Sequence, residues 1–64
     1  METTTTLEGK IEYAAADMGA RKIIAMVEGE DGKAQIVFQS TDKYFRKVDP
    51  KKGDKITVEI KIEK

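Results

Sequence analysis

The sequence predicts an all-β protein: a small curled barrel of five strands, or of four long ones, with one short helix before the last strand. Three observations carry this. Apolar and polar residues alternate with period two over residues 7–13 and again over 55–63, the signature of strands with one buried face. Two apolar runs, Lys22-Ile23-Ile24-Ala25-Met26-Val27 and Ala34-Gln35-Ile36-Val37-Phe38, flank an Asp31-Gly32 pair, a strong short-range hairpin signal. A single helix-like segment follows, from Asp42 to Val48, and Pro50 stops it because proline cannot continue a helix. Most inward apolar positions fall on strands, so the class is all-β.

Sixty-four residues make one domain, 1–64, with residues 1–5 able to fray. A chain this short buries only roughly 60% of its unfolded surface. It has no cysteine and no histidine, so neither disulfides nor a zinc site of the usual ligands supplements the core. Regular strands or association with another chain must do so. Twelve basic residues balance twelve acidic ones, unlike the strongly cationic profile of a general DNA coater. The halves differ: residues 1–32 carry seven acids and three bases, residues 33–64 five acids and nine bases. The molecule is expected to be polar end to end unless the fold interleaves the halves. Abundant Lys, Glu and Ile without Asn, Cys, His or Trp resembles the composition of heat-tolerant, thermophilic proteins. No apolar stretch reaches the roughly 18 residues of a membrane span and no signal-peptide pattern opens the chain, so a cytoplasmic location without membrane contact is expected.

The elements follow in order. Four threonines at 3–6 are either a frayed tail or the β-branched start of strand one. Leu7, Gly9, Ile11 and Tyr13 then share one face, with Glu8, Lys10 and Glu12 on the other; this phase sends Tyr13 inward. Residues 14–16 extend the strand, open a loop or begin a short helix reaching residue 18. Asp17-Met18-Gly19 marks a turn. A two-residue Asp31-Gly32 turn of type I′ sets Glu30 opposite Lys33, Glu28 opposite Gln35, Met26 opposite Val37 and Ile24 opposite Gln39. Ile23, Ala25, Val27, Ala34, Ile36 and Phe38 form the other, inner face, and widening the turn symmetrically changes the partners but not the faces. Ser40 or Thr41 caps the helix, and Tyr44 or Phe45, with Val48, gives it an apolar edge. After a polar turn at 51–54, the last strand sends Ile56, Val58, Ile60 and Ile62 inward and Lys55, Thr57, Glu59, Lys61 and Glu63 outward.

These pieces resemble oligonucleotide/oligosaccharide-binding (OB) domains of the kind found in replication proteins and tRNA synthetases. Leu7-Glu8-Gly9-Lys10-Ile11 matches the opening strand, residues 22–38 strands two and three, residues 41–48 the connecting helix, and Lys52-Gly53-Asp54-Lys55-Ile56-Thr57-Val58 the entry to strand four. The opening strand is also similar to that of cold-shock proteins. The likeness is one of pattern and covers nearly the whole chain. It implies an OB-like barrel that binds single-stranded DNA or RNA. Two departures stand out. Cold-shock domains carry aromatics on strands two and three where this chain has Ile24, Met26, Gln35, Val37 and Gln39. A closed barrel also needs a fifth strand, unless strand one bends into two or the last strand is very long.

The residues point away from catalysis. With one serine and neither histidine nor cysteine, no familiar nucleophile–base pair can form, and no cofactor is implied. Glu28, Glu30 and Asp31 crowd a hairpin tip but are too few for a calcium loop, so no metal site is expected. Lys43, Arg46, Lys47, Lys51, Lys52 and Lys55 crowd one region, diluted by Asp42, Asp49 and Asp54. With Arg21, Lys22 and Lys33 they form a candidate phosphate-tracking patch; the plainer reading is a solvated helix and turn. Tyr13 and Tyr44 are candidates for base stacking, although the inward phase of Tyr13 favours core packing over it. Ile24, Met26 and Val37 make an apolar stripe on a face expected to be wet, which marks an interface. Two functions result: a non-enzymatic module for single-stranded nucleic acid, and a subunit that forms a homo-oligomer or joins a larger protein assembly through that stripe.

Overall fold

A computed structural model of the chain describes residues 1–17 and 20–64. It contains β1 (Glu2–Asp17), β2 (Ala20–Gly29), β3 (Gly32–Ser40), α1 (Asp42–Val48) and β4 (Lys55–Glu63). The threonines at 3–6 lie in β1 opposite β4, where β-branched side chains suit the pleat. Residues 14–17 continue the same strand, so no helix forms there. The turn expected at 17–19 lies at its centre outside the described residues.

The strands form one antiparallel sheet in the order β3-β2-β1-β4, curled into a half-barrel. The long β1 makes this order. Its first half pairs with β4, from Glu2 opposite Glu63 to Lys10 opposite Lys55. Glu8 to Asp17 pair with β2. Gly9 lies where both partners meet, opposite Val27 and Ile56. A Cβ there would run into the Met26 carbonyl oxygen, so only glycine permits this close approach.

The inner face carries Leu7, Ile11, Ile23, Ala25 and Val27, all buried. Each larger aliphatic of this set contributes about 1.5–3 kcal/mol through burial. Toward the two outer strands the same face opens. Ile56, Val58 and Ile60 of β4 are only half-buried, Ile62 is 53% exposed and Phe38 of β3 41% exposed. No fifth strand joins the β3 and β4 edges among the described residues, so the sheet stays open where the sequence led us to expect closure. The β2–β3 hairpin tip bends back over β1, where the Thr5 hydroxyl donates to Asp31 Oδ2.

Helix α1 follows its capping chemistry. Thr41 Oγ1 accepts from the Tyr44 N–H at 3.2 Å, Asp42 lies in the first turn, and Arg46 and Lys47 lie in the last, each charge matched to its end of the helix dipole. Asp49 closes the helix in the left-handed region (φ 49°) and donates its N–H to the Phe45 carbonyl. Pro50 is buried directly after it. The 51–54 turn closes on itself: the Lys51 N–H donates to Asp54 Oδ2 at 2.9 Å and the Asp54 N–H to the Lys51 carbonyl at 3.1 Å.

Two expectations fail in detail. The β2–β3 turn is centred on Glu30 and Asp31, with Gly29 opposite Gly32. Neither central residue has positive φ, so it is not a mirror-image type I′ turn, which requires positive φ at both. The partners move accordingly: Glu28 faces Lys33, Met26 faces Gln35 and Ile24 faces Val37. The faces are those expected. Second, Tyr13 does not point inward. Between Ile11 opposite Ala25 and Tyr13 opposite Ile24 the register slips, so two steps along β1 match one along β2. Glu12 is the extra residue of this β-bulge, and the slip carries Tyr13 to the outer face. The charge halves are interleaved: the acidic half supplies the two central strands, and β3 and β4 of the basic half flank them.

Candidate binding surface

The outer face is ordered in rows across the strands, because partners in register share a side. The central row is Tyr13, Ile24 and Val37. Beside it run Ala15, Lys22 and Gln39 on one side, and Lys55, Lys10, Met26 and Gln35 on the other. The next row, Thr57, Glu8, Glu28 and Lys33, brings in acid. An apolar strip with one aromatic therefore lies between lysines. It is open: Tyr13 is 49%, Met26 42% and Val37 55% exposed, while Ile24 is half-buried between its neighbours. A shallow depression lined by Tyr13, Ala15, Ala20, Lys22 and Ile24 sits at one end of the strip.

The bulge that builds this strip is held from the β4 side. Ile11 donates its N–H to the Asp54 carbonyl at 2.9 Å and accepts at its own carbonyl from the Gly53 N–H at 2.8 Å. Gly53 has φ 96°, a conformation that side-chain-bearing residues rarely adopt. Lys10 faces Lys55 across the strands. Such like-charge neighbours repel, relieved here in part by Glu8, whose Oε1 lies 3.8 Å from Lys55 Nζ.

The predicted basic residues do not form one patch. Lys22 and Lys33 flank the apolar strip on the outer face. Arg21, on the opposite side of β2 from Lys22, reaches Asp42 of α1 at 2.8 Å, and Arg46 reaches the same carboxylate at 2.9 Å. Asp42 thus clamps both guanidiniums and ties the helix to the sheet. Tyr44 packs edge-on against Phe38, with ring centroids 5.4 Å apart and planes at 76°. Since Phe38 is an inner-face residue, this contact sets Tyr44 beside the inner face of the sheet. Lys51 pairs with Asp49 at 3.1 Å. Lys43, Lys47 and Lys52 make no ion pair among the described residues and stand exposed on α1 and the turn after it.

Ile24, Met26 and Val37 do lie together. The residue whose face the sequence pattern placed differently is Tyr13, and Lys10, given no binding role by that pattern, stands beside the strip. Nothing in β1 itself signals the change of phase, and the backbone bonds of Ile11 beside it run to residues 53 and 54, more than forty positions away. Comparison of the chain with protein-family models, with curated proteins and with solved structures returned no match.

Proposed function

We propose that this chain is a non-enzymatic binding module, an OB-like sheet whose outer face contacts single-stranded nucleic acid. The observation that carries the reading is the Tyr13–Ile24–Val37 row, an exposed aromatic and two aliphatics in register, bordered by Lys10, Lys22 and Lys55. A base stacks on a flat aromatic or apolar platform regardless of its identity, and lysines at the border hold the phosphates. Lys33 extends the border, and Lys43, Lys47, Lys51 and Lys52 extend the positive field around the helix. The strand order supports the reading too: a long first strand between the second and the fourth, with a helix before the fourth, resembles the OB arrangement without its closing strand. In that fold the face of strands two and three receives oligonucleotides.

The test is titration of a labelled mixed-sequence oligonucleotide, DNA and RNA in separate arms, at several salt concentrations. The reading expects micromolar binding that weakens steeply with salt and is lost in the Tyr13→Ala/Lys22→Glu double variant. Absence of any salt-sensitive binding to either polymer overturns it.

A second reading has its own support: the inner face is open along β3 and β4, with Phe38 and Ile62 exposed. A sheet with apolar groups open on both sides suits a subunit of a homo-oligomer or larger assembly. Association that Met26→Glu dissolves, without nucleic-acid binding, favours this second reading.

A further inference from the structure

Strand β4 is an edge of the sheet, with Lys55, Thr57, Glu59, Lys61 and Glu63 on its outer side and Ile56, Val58, Ile60 and Ile62 on its inner side. Charged edge strands ordinarily discourage pairing between molecules. Here the charges are arranged so that one register is favourable. If two copies of β4 run antiparallel about a two-fold axis at Ile60, Glu59 of each faces Lys61 of the other. On the inner side Val58 then faces Ile62 of the other copy, and Ile60 meets itself. Neighbouring registers are worse: an axis at Glu59 or at Lys61 sets that charge against its own copy, an axis at Val58 brings Lys61 against Lys55, and an axis at Ile62 leaves most of β4 unpaired. Opposite charges directly across an antiparallel pair are stabilising and like charges destabilising, so the charge pattern selects the Ile60 axis.

We propose that β4 pairs with β4 of a second copy of this chain in that register, joining two half-barrels into one continuous sheet. The contact is isologous, as a two-fold axis requires, and each Glu59–Lys61 pair occurs twice. It covers the part of the inner face left most open within one chain, where Ile62 is 53% exposed. It also supplies one of the supports open to a small domain without cysteine. Lys61 contacts Glu2 within its own chain only at 4.0 Å, a distance that leaves the ammonium able to face Glu59 of the other copy. The outer strip of Tyr13, Ile24 and Val37 lies on other strands and stays open, so this pairing is independent of what that strip binds.

The test is a charge swap read by light scattering on the full chain at high micromolar concentration, with circular dichroism on each variant. Wild type is expected at twice the chain mass. Glu59→Lys alone and Lys61→Glu alone set like charges opposite each other and are expected at the monomer mass, while the Glu59→Lys/Lys61→Glu double variant restores the dimer. Should a single variant lose its fold, cysteine cross-linking decides. With no native cysteine, Ile60→Cys is expected to form a disulfide dimer on oxidation, because residues on the axis have Cα atoms about 4.5–5.5 Å apart. Val58→Cys, facing Ile62 of the other copy, is expected not to cross-link to itself. A wild type that stays monomeric, a swap that fails to restore the dimer, cross-linking at Val58→Cys rather than Ile60→Cys, or a dimer dissolved by Met26→Glu but not by Glu59→Lys overturns the proposal.

Discussion

Tyr13 lies across from Ile24 on the outer face of the sheet, whereas Ile11, two positions earlier, lies across from Ala25 on the inner face. Two residues of equal parity in one strand thus point to opposite sides. The bulge at Glu12 separates them, and the Ile11 backbone is held by residues 53 and 54 of the turn before β4. The consequence is a change in what the outer face carries. Without the slip, the outer face of the three-strand meander would carry aliphatics and no aromatic.

Replacing Tyr13 by alanine tests that consequence. The ring is half exposed, so unfolding measurements are expected to change little. If the ring stacks a base, oligonucleotide affinity falls by about 1–3 kcal/mol, read by fluorescence anisotropy. Equal losses in stability and affinity would instead mark Tyr13 as a packing residue.

Gly9 is the position where substitution is expected to cost most for the least added volume. A Cβ there meets the Met26 carbonyl, part of the backbone of β2, which cannot move aside as a side chain can. Gly9→Ala is expected to lose more than about 2 kcal/mol of folding stability in urea denaturation. Thermal unfolding indistinguishable from wild type would show that β1 and β2 are not held so close.

On the proposed nucleic-acid reading, the two sets of lysines are expected to make separable contributions. Reversing Lys10, Lys22 and Lys33 to Glu removes charge beside the apolar strip; reversing Lys43, Lys47 and Lys52 removes it around α1. Each phosphate contact on a single strand adds about 0.7 to the slope of log affinity against log salt. The outer-face set is expected to lower both affinity and slope more than the helix set. The reverse ranking would move the binding surface to the helix and the turn that follows it.

The cap of α1 is expected to hold Tyr44 in place. Thr41→Ala removes the acceptor for the Tyr44 N–H and is expected to cost about 1 kcal/mol. It also loosens the Phe38–Tyr44 contact, which is worth about 0.5–1.5 kcal/mol beyond its buried area. Near-ultraviolet circular dichroism, sensitive to aromatic environments, is expected to weaken while the far-ultraviolet strand signal persists.

The local pattern of residues sufficed for most elements. Period-two alternation places β4 over Lys55–Glu63, Pro50 and the Thr41 cap bound α1, and the inner faces of β2 and β3 follow from alternation alone. They are legible because a side chain's face depends only on its parity along an unbroken strand. The scattered fate of the basic residues was not legible. Arg21 and Lys22 are adjacent in the chain and lie on opposite faces, and Asp42 draws Arg21 and Arg46 together; a count of charges along the chain contains neither fact.

By itself the sequence determined an all-β sheet with an isoleucine-rich inner face, a capped short helix and no disulfide framework. Tertiary structure alone decided which residues face one another across the strands, that the sheet stays open between β3 and β4, and that Tyr13 joins Ile24 and Val37. The physical reason is that parity is a local property, whereas register and bulges are set by hydrogen bonds between strands distant in sequence. One slipped residue, at Glu12, inverts the face of every side chain after it.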